Sequence, residues 1–218
     1  MTTTVLLRSG IFAGPLFVAV FLIEGFRRPD YDPLRHPVSS LALGEAGWVQ
    51  TADFLLAGSL TVAFALGAHR ALRRHETKTW GPSLIAIWGA GLLGAGAFLT
   101  DPVGGYPPGT PAVPVHASTL GTLHDLLSLI GFAALVAACA AFARWFLRWH
   151  RRAWAAYSAA TGAAFVIFVL LATGGLAQTE PLAAVGGLLQ RTAVVIGWAW
   201  ITALAVHLLR RTHDDAGG

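Results

Sequence analysis

Asp53, His124, Asp125 and Arg191 are the residues whose types and setting offer this chain of 218 residues its chemistry, because each interrupts a run of apolar neighbours. A charge placed at mid-bilayer costs about 3 kcal/mol, so such a side chain faces a bundle interior or a wet cavity and takes a partner. An imidazole beside a carboxylate, as at His124 and Asp125, suits a proton acceptor and its orienting group, although adjacent positions on a helix point about 100° apart. Arg191 cannot deprotonate. It needs either a carboxylate, with Asp53 or Asp125 the natural counter-ion, or several carbonyls. Asp53, His124 and Asp125 are therefore the catalytic candidates, and an ion pair that merely ties helices together is an equally good reading of them.

Around this group lie His36, Ser39, Ser40, Asp101, His116 and Arg191, which are the candidates for holding a ligand; Glu24 and Gln190 are further polar residues of the same half. Glu24 and Asp101 sit close enough to predicted helix ends to be simply hydrated. His116 and His124 are eight residues apart, which returns them to nearly one helix face but about 12 Å apart along the axis. That is too far for one metal unless the chain before Ser118 folds back, and the H-E-x-x-H spacing is absent. Ser39 and Ser40 follow Pro37 without a G-x-S-x-G elbow, which reads as a turn or helix cap. Among the histidines His124 alone is embedded, so paired haem ligation has no basis; His69, His150 and His207 fall beside arginines at predicted helix ends, at headgroup level. The residues specify neither a metal nor a cofactor.

What must position these side chains is a membrane bundle. Hydrophobic residues make up 55% of the chain and charged ones 12%, about half the charge of a soluble domain. Crossing the hydrocarbon takes about 20 apolar residues in a helix. Six stretches meet that length: residues 6–26, 48–72, 80–99, 118–146, 153–176 and 181–209. Unpaired backbone groups are intolerable in lipid, so these are helices and not open strands. The fold class is all-α, a single transmembrane domain over 1–218. The first helix is retained, being longer than a signal peptide's apolar core and lacking an A-x-A-like cleavage site. Gly10 with Gly14, and the cluster Gly89, Gly91, Gly94 and Gly96, point to close helix packing within one bundle, with dimerisation the alternative.

Lys and Arg gather in short cytoplasmic loops. Arg70, Arg73, Arg74 and Lys78 follow the second predicted helix, Arg144, Arg148, Arg151 and Arg152 flank the fourth and fifth, and Arg210 and Arg211 end the sixth. Both termini are then cytoplasmic, and the connections 27–47 and 101–117 are external. Arg27, Arg28 and Arg35 oppose the trend, but Asp30, Asp32 and Glu45 accompany them in what reads as a structured loop. The formal charge of +4 is explained by these positions, and nucleic acid is not a partner. Trp48, Trp80, Trp145, Trp149 and Trp154 fall near helix ends as an aromatic belt does. Cys139 is the single cysteine, so neither a disulfide nor a thiolate metal site is available.

The opening R-S-G-I-F-A-G-P-L-F, the stretch Y-D-P-L-R-H-P-V-S-S-L-A-L-G, the D-P at Asp101 and Pro102, and the histidine of P-V-H-A-S at His116 resemble a bacterial membrane family, domain of unknown function nine-nine-eight. The resemblance runs over nearly the whole chain and is most specific from His36 to Gly44. It implies a six-helix protein of the bacterial cytoplasmic membrane with no assigned activity. Its motif falls on Gly14, Pro15, Tyr31, His36, Ser39, Ser40, Gly44, Asp101 and His116. The layout is also loosely similar to Frag1/DRAM-type six-helix proteins, associated with lipid remodelling.

With the titratable residues gathered toward the external half, the expectation is a polar cavity open away from the cytoplasm. It would bind or modify a lipid or amphiphile, an acyl tail against Leu and Phe and an anionic head on Arg191. Membrane lipids are the partners; whether the chain is an enzyme, and its oligomeric state, do not follow from the residues. Two other classes stay open: a proton-coupled carrier in which Asp53 and Asp125 titrate, and a structural subunit without a small-molecule site.

Overall fold

The computed structural model describes residues 2–73, 79–112 and 116–214; Arg74 and Lys78 of the second connection lie outside them. Six α-helices follow in order: α1 Thr3–Arg27, α2 Gly47–Arg73, α3 Gly81–Ala97, α4 Thr119–Arg148, α5 Arg152–Leu176 and α6 Gly186–Asp214, with short 3₁₀ turns at Val38–Ala42 and Leu182–Ala184. Thr2 and Ser118 start α1 and α4 by accepting bonds from Val5 N and Gly121 N with their side chains, which satisfies amides that have no intrahelical partner. Five of the six are long and apolar enough to cross a membrane.

α3 is shorter than the expected 80–99, at 17 residues. Phe98 is already extended, with φ −116° and ψ 123°, ahead of the Asp101-Pro102 pair that cannot continue a helix. α6 begins at Gly186 and not at residue 181, because the chain first makes the 3₁₀ turn. A Cβ on Gly175 would lie 2.6 Å from Gly186 Cα, so only glycine lets α5 and α6 meet this closely.

Each helix packs against its neighbours in sequence, and α6 returns to α1, closing a ring. The contacts are antiparallel throughout: Gly67 meets Leu6 and Leu7, Gly58 meets Gly89, Gly91 meets Gly131, Gly162 meets Cys139, Gly197 meets Phe165, and Gly14 meets Trp198. Lipid tails are as apolar as leucine, so burial alone gives helices little reason to associate. Close backbone approach supplies it. Gly10 and Gly14 serve this intramolecular packing, against Phe64, Ala205, Thr202 and Trp198. The middle of the ring is filled by rings from opposite helices: Trp88 and Trp198 are 4.4 Å apart between centroids and Phe17 lies 5.5 Å from Trp198.

One end of the ring carries the 28–46 connection and the described residues of the 98–118 connection and is called the loop end below. The other, with Arg70, Arg73, Arg144, Arg148, Arg151, Arg152, Arg210 and Arg211, is the arginine end. Trp48, Trp80 and Trp149 are exposed. Trp145 is buried. Trp154 and His207 pack on one another at 4.5 Å, beside Phe146. His207 is thus half-buried in an aromatic cluster at this end, because its face of α6 is the one that meets α5.

The candidate site at the loop end

The 28–46 connection folds back over the ring as a cap, held by two buried or half-buried arginines. Arg28, at the end of α1, pairs with Glu24 at 3.1 Å and donates to the carbonyls of Leu41, Leu43 and Ala46. Arg191 rises from the second turn of α6. Its Nη1 donates to Pro33 O and His36 O, both at 2.7 Å, and to Gly187 O at 3.0 Å, while Nη2 donates to the Tyr31 hydroxyl. Its guanidinium also lies 5.4 Å from the Tyr31 ring centroid and 5.9 Å from that of Phe21, a cation–π geometry. Gln190 accepts from Val38 N at 2.8 Å, and Leu188 N donates to Leu34 O.

Neither Asp53 nor Asp125 is the counter-ion of Arg191. Carbonyls and a phenol take that place. The reason is reach: the cap brings three oxygen acceptors directly over α6, whereas Asp53 lies in α2, which α6 touches only lightly. Burial pushes the Tyr31 phenol up to about 12, against the pull of Arg191, so this residue stays a neutral hydroxyl. It accepts from Arg191 and donates to Pro37 O at 2.9 Å.

His36 joins the cap to the second long connection. Its Nδ1 accepts from Asp32 N at 2.9 Å, which requires that nitrogen to be unprotonated, and its Nε2–H then donates to Gly104 O at 3.2 Å. Burial holds its pKa below the usual value. Tyr106 packs against both Tyr31 and His36, at 5.2 and 5.3 Å. Gly104 has φ +69°, and a Cβ there would come 3.0 Å from His36 Cδ2, so the contact needs glycine on both counts. With both ring nitrogens engaged, His36 organises the cap.

The residues of α3 and α4 form a separate group. His124 is buried, and its Nδ1 faces Ala95 O at 3.1 Å and Phe98 O at 2.9 Å. Carbonyls only accept, so Nδ1 carries the hydrogen and caps the C-terminus of α3. Asp101 accepts from Ser118 N at 2.8 Å and stands at the N-terminus of α4, where a carboxylate complements the helix dipole. Asp125 does not join His124. It is exposed, one helix position further round the circumference and outside the ring. His116 is exposed as well, and Ser39 half-buried. Among the described residues no three His, Cys, Asp or Glu side chains come together to hold a metal.

Asp53 has a different environment. It is buried, and Gln50, one turn earlier on α2, donates to its Oδ2 at 3.3 Å. Its Oδ1 has no hydrogen-bond partner. Nor have Gln50 Oε1 and the hydroxyl of the fully buried Ser40. Ser40 lies in the Val38–Ala42 turn, which packs on α1, α2 and α6. Gln50 and Tyr106 are not among the residues that the sequence singles out, and Arg28 stands out there only as a loop charge. The Gln50–Asp53 spacing of three, placing two polar groups on one face of an apolar helix, was the signal available for the first.

Six helices in a closed ring, five of them long and apolar enough to cross a membrane, with a buried polar network capping one end, define a multi-pass membrane protein. The family model described as Protein of unknown function (DUF998) matches residues 11–207. The chain belongs to that family. No curated protein and no solved structure matches it.

Proposed function

We propose that the protein crosses the membrane six times and holds a small amphiphile whose hydrogen-bond-donating head lies beneath the loop-end cap, at Asp53, Gln50 and Ser40. The observation that carries this reading is the set of three buried side-chain oxygens without partners, Asp53 Oδ1, Gln50 Oε1 and Ser40 Oγ. Folded proteins leave few such atoms, and each costs about 1–3 kcal/mol in surroundings that water does not reach. Gln50 Oε1 can only accept, as does Asp53 Oδ1 when the carboxyl is ionised, so the complementary group donates: a hydroxyl, an amine or an ammonium. An anionic head on Arg191 is not part of this reading, since the cap carbonyls occupy that guanidinium.

The crossing number rests on α3. Its 17 residues extend about 25 Å, at the short limit for a span, and it packs between α2 and α4. Six crossings put both termini at the arginine end, which faces the cytoplasm by the positive-inside rule; a bacterial cytoplasmic membrane is the setting that the sequence resemblance favours. A proton-coupled carrier has less support, because Trp88, Trp198 and Phe17 fill the middle of the ring.

Thermal unfolding in a neutral maltoside detergent tests the reading, with dodecylamine, dodecanol and dodecanoate as probes. The amine or the alcohol should raise the midpoint of the wild type, dodecanoate should not, and Asp53→Asn should abolish the rise by supplying its own donors. Equal responses to all three probes, or an undiminished rise in Asp53→Asn, would remove the ligand and leave a structural subunit.

A further inference from the structure

At the arginine end, Thr79, Trp80, Ala141, Arg144, Trp145 and Arg148 line a groove of 160 Å³ between the start of α3 and the last two turns of α4. Arg144 and Arg148 are one turn apart on the same face of α4, exposed, and no acidic side chain is among the described residues that line the groove. Like charges at this spacing repel. The only ion pair among the described residues is Arg28 with Glu24, at the other end of the bundle. These two arginines therefore present a concentrated positive charge with no acidic partner among the described residues.

The wall holds a second unsatisfied group. Trp145 is buried, its indole N–H has no hydrogen-bond partner, and the Arg211 guanidinium lies 5.4 Å from its ring centroid. Trp80, 78% exposed, marks the depth of the membrane interface, where lipid headgroups and tryptophan rings coincide. α3 begins here, its Gly81 N–H donating to the Thr79 hydroxyl at 3.2 Å, and the helix N-terminus adds a partial positive charge. Arg144 and Arg148 are the charged groups of this groove, and the Thr79 hydroxyl beside them is the acceptor of that bond. Its volume equals that of about five waters, enough for one tetrahedral oxyanion and its ester linkage.

We propose that this groove binds the phosphate ester of an anionic lipid headgroup, with Arg144 and Arg148 clamping the phosphate oxygens and Trp80 and Trp145 forming the walls. Arginine suits this role because its planar fork meets two phosphate oxygens at once. The site is separate from the loop end and faces the opposite leaflet from the donor-headed amphiphile proposed there.

The test is thermal unfolding of the full-length protein in nanodiscs of phosphatidylcholine alone or with phosphatidylglycerol. Wild type should gain stability from phosphatidylglycerol. Arg144→Gln/Arg148→Gln should lose most of that gain while unfolding at the wild-type temperature in phosphatidylcholine, since both side chains are exposed. Arg151→Gln/Arg152→Gln removes the same charge outside the groove and should keep the gain. Equal loss in the two double variants would reduce the effect to the general charge of this face and overturn the site. Inorganic phosphate added in phosphatidylcholine discs should not reproduce the gain; if it does, a soluble anion replaces the lipid and the assignment to a headgroup fails.

Discussion

Replacing Arg191 by methionine keeps the aliphatic stem and removes the guanidinium that holds the cap. Three of its bonds reach the cap, to Pro33 O, His36 O and the Tyr31 hydroxyl; the fourth, to Gly187 O, stays within α6. Hydrogen bonds from a charged donor contribute about 1.5–3 kcal/mol each, so the three together come to at least about 4.5 kcal/mol. Against that, the variant no longer buries a charge, and carbonyls released by an opening cap regain water. A net weakening of about 3 kcal/mol is expected for cap closure, which is roughly a 100-fold rise in the open population. Hydrogen exchange by mass spectrometry in nanodiscs reads this directly: peptides from 29–46 should exchange roughly 100-fold faster, while α4 and α5 exchange as in the wild type. Arg191→Lys should recover only part of the protection, because an ammonium cannot reproduce the planar fork. If 29–46 exchanges at the wild-type rate in Arg191→Met, or if all helices accelerate together, Arg191 is not a local clamp and the reasoning fails.

Because the folded pKa of His36 is depressed by burial, the unfolded or open cap binds more protons below the ordinary value of 6.5. Its contribution is then fully present above that pH and declines as pH falls; exchange in 29–46, corrected for intrinsic rates, should rise from pH 7 to pH 5, and His36→Gln should flatten the dependence. Gly91→Ala places a Cβ 2.9 Å from Gly131 Cα and Leu127 O, both backbone, and should lower the unfolding midpoint by an amount equivalent to about 1–3 kcal/mol. Gly131→Ala meets nothing nearer than 3.4 Å and should be neutral or slightly stabilising by helix propensity; equal losses in the two would contradict the packing described. Asp101→Ala should cost about 1 kcal/mol as a lost helix cap, visible as faster exchange confined to the first turn of α4.

The helices were legible because their signal is local. A run such as 153–176 has no polar group that could tolerate another conformation in lipid, and it appears as α5 within a residue of both expected ends. Boundaries moved where the determinant lay elsewhere in the chain. α3 stops early at Phe98, and the carbonyls of its last turn meet His124, which is 26 residues further on. The small-residue clusters gave close packing correctly, yet which helix each glycine meets is visible only in the ring. Trp145 and His207 carry the composition of interface residues; the faces of α4 and α6 that meet other helices leave Trp145 buried and His207 half-buried.

The candidate site divides in the same way. That Asp53, His124 and Arg191 must have partners followed from sequence alone, because an ionisable or polar group in an apolar span cannot be left bare. Who the partners are did not follow, because partner choice depends on distances across the ring. Arg191 found carbonyls 155 and 158 residues away in sequence, His124 found the end of α3, and Asp53 found Gln50 with one oxygen left over. Asp125 differs from His124 by a single position, yet that rotation of about 100° carries it from the bundle interior to the exposed face. Hydrophobic length and charge bias are properties of the chain read in order and set the kind of protein this is; the pairing of buried polar groups is a property of which helix faces meet, and only the closed ring decided it.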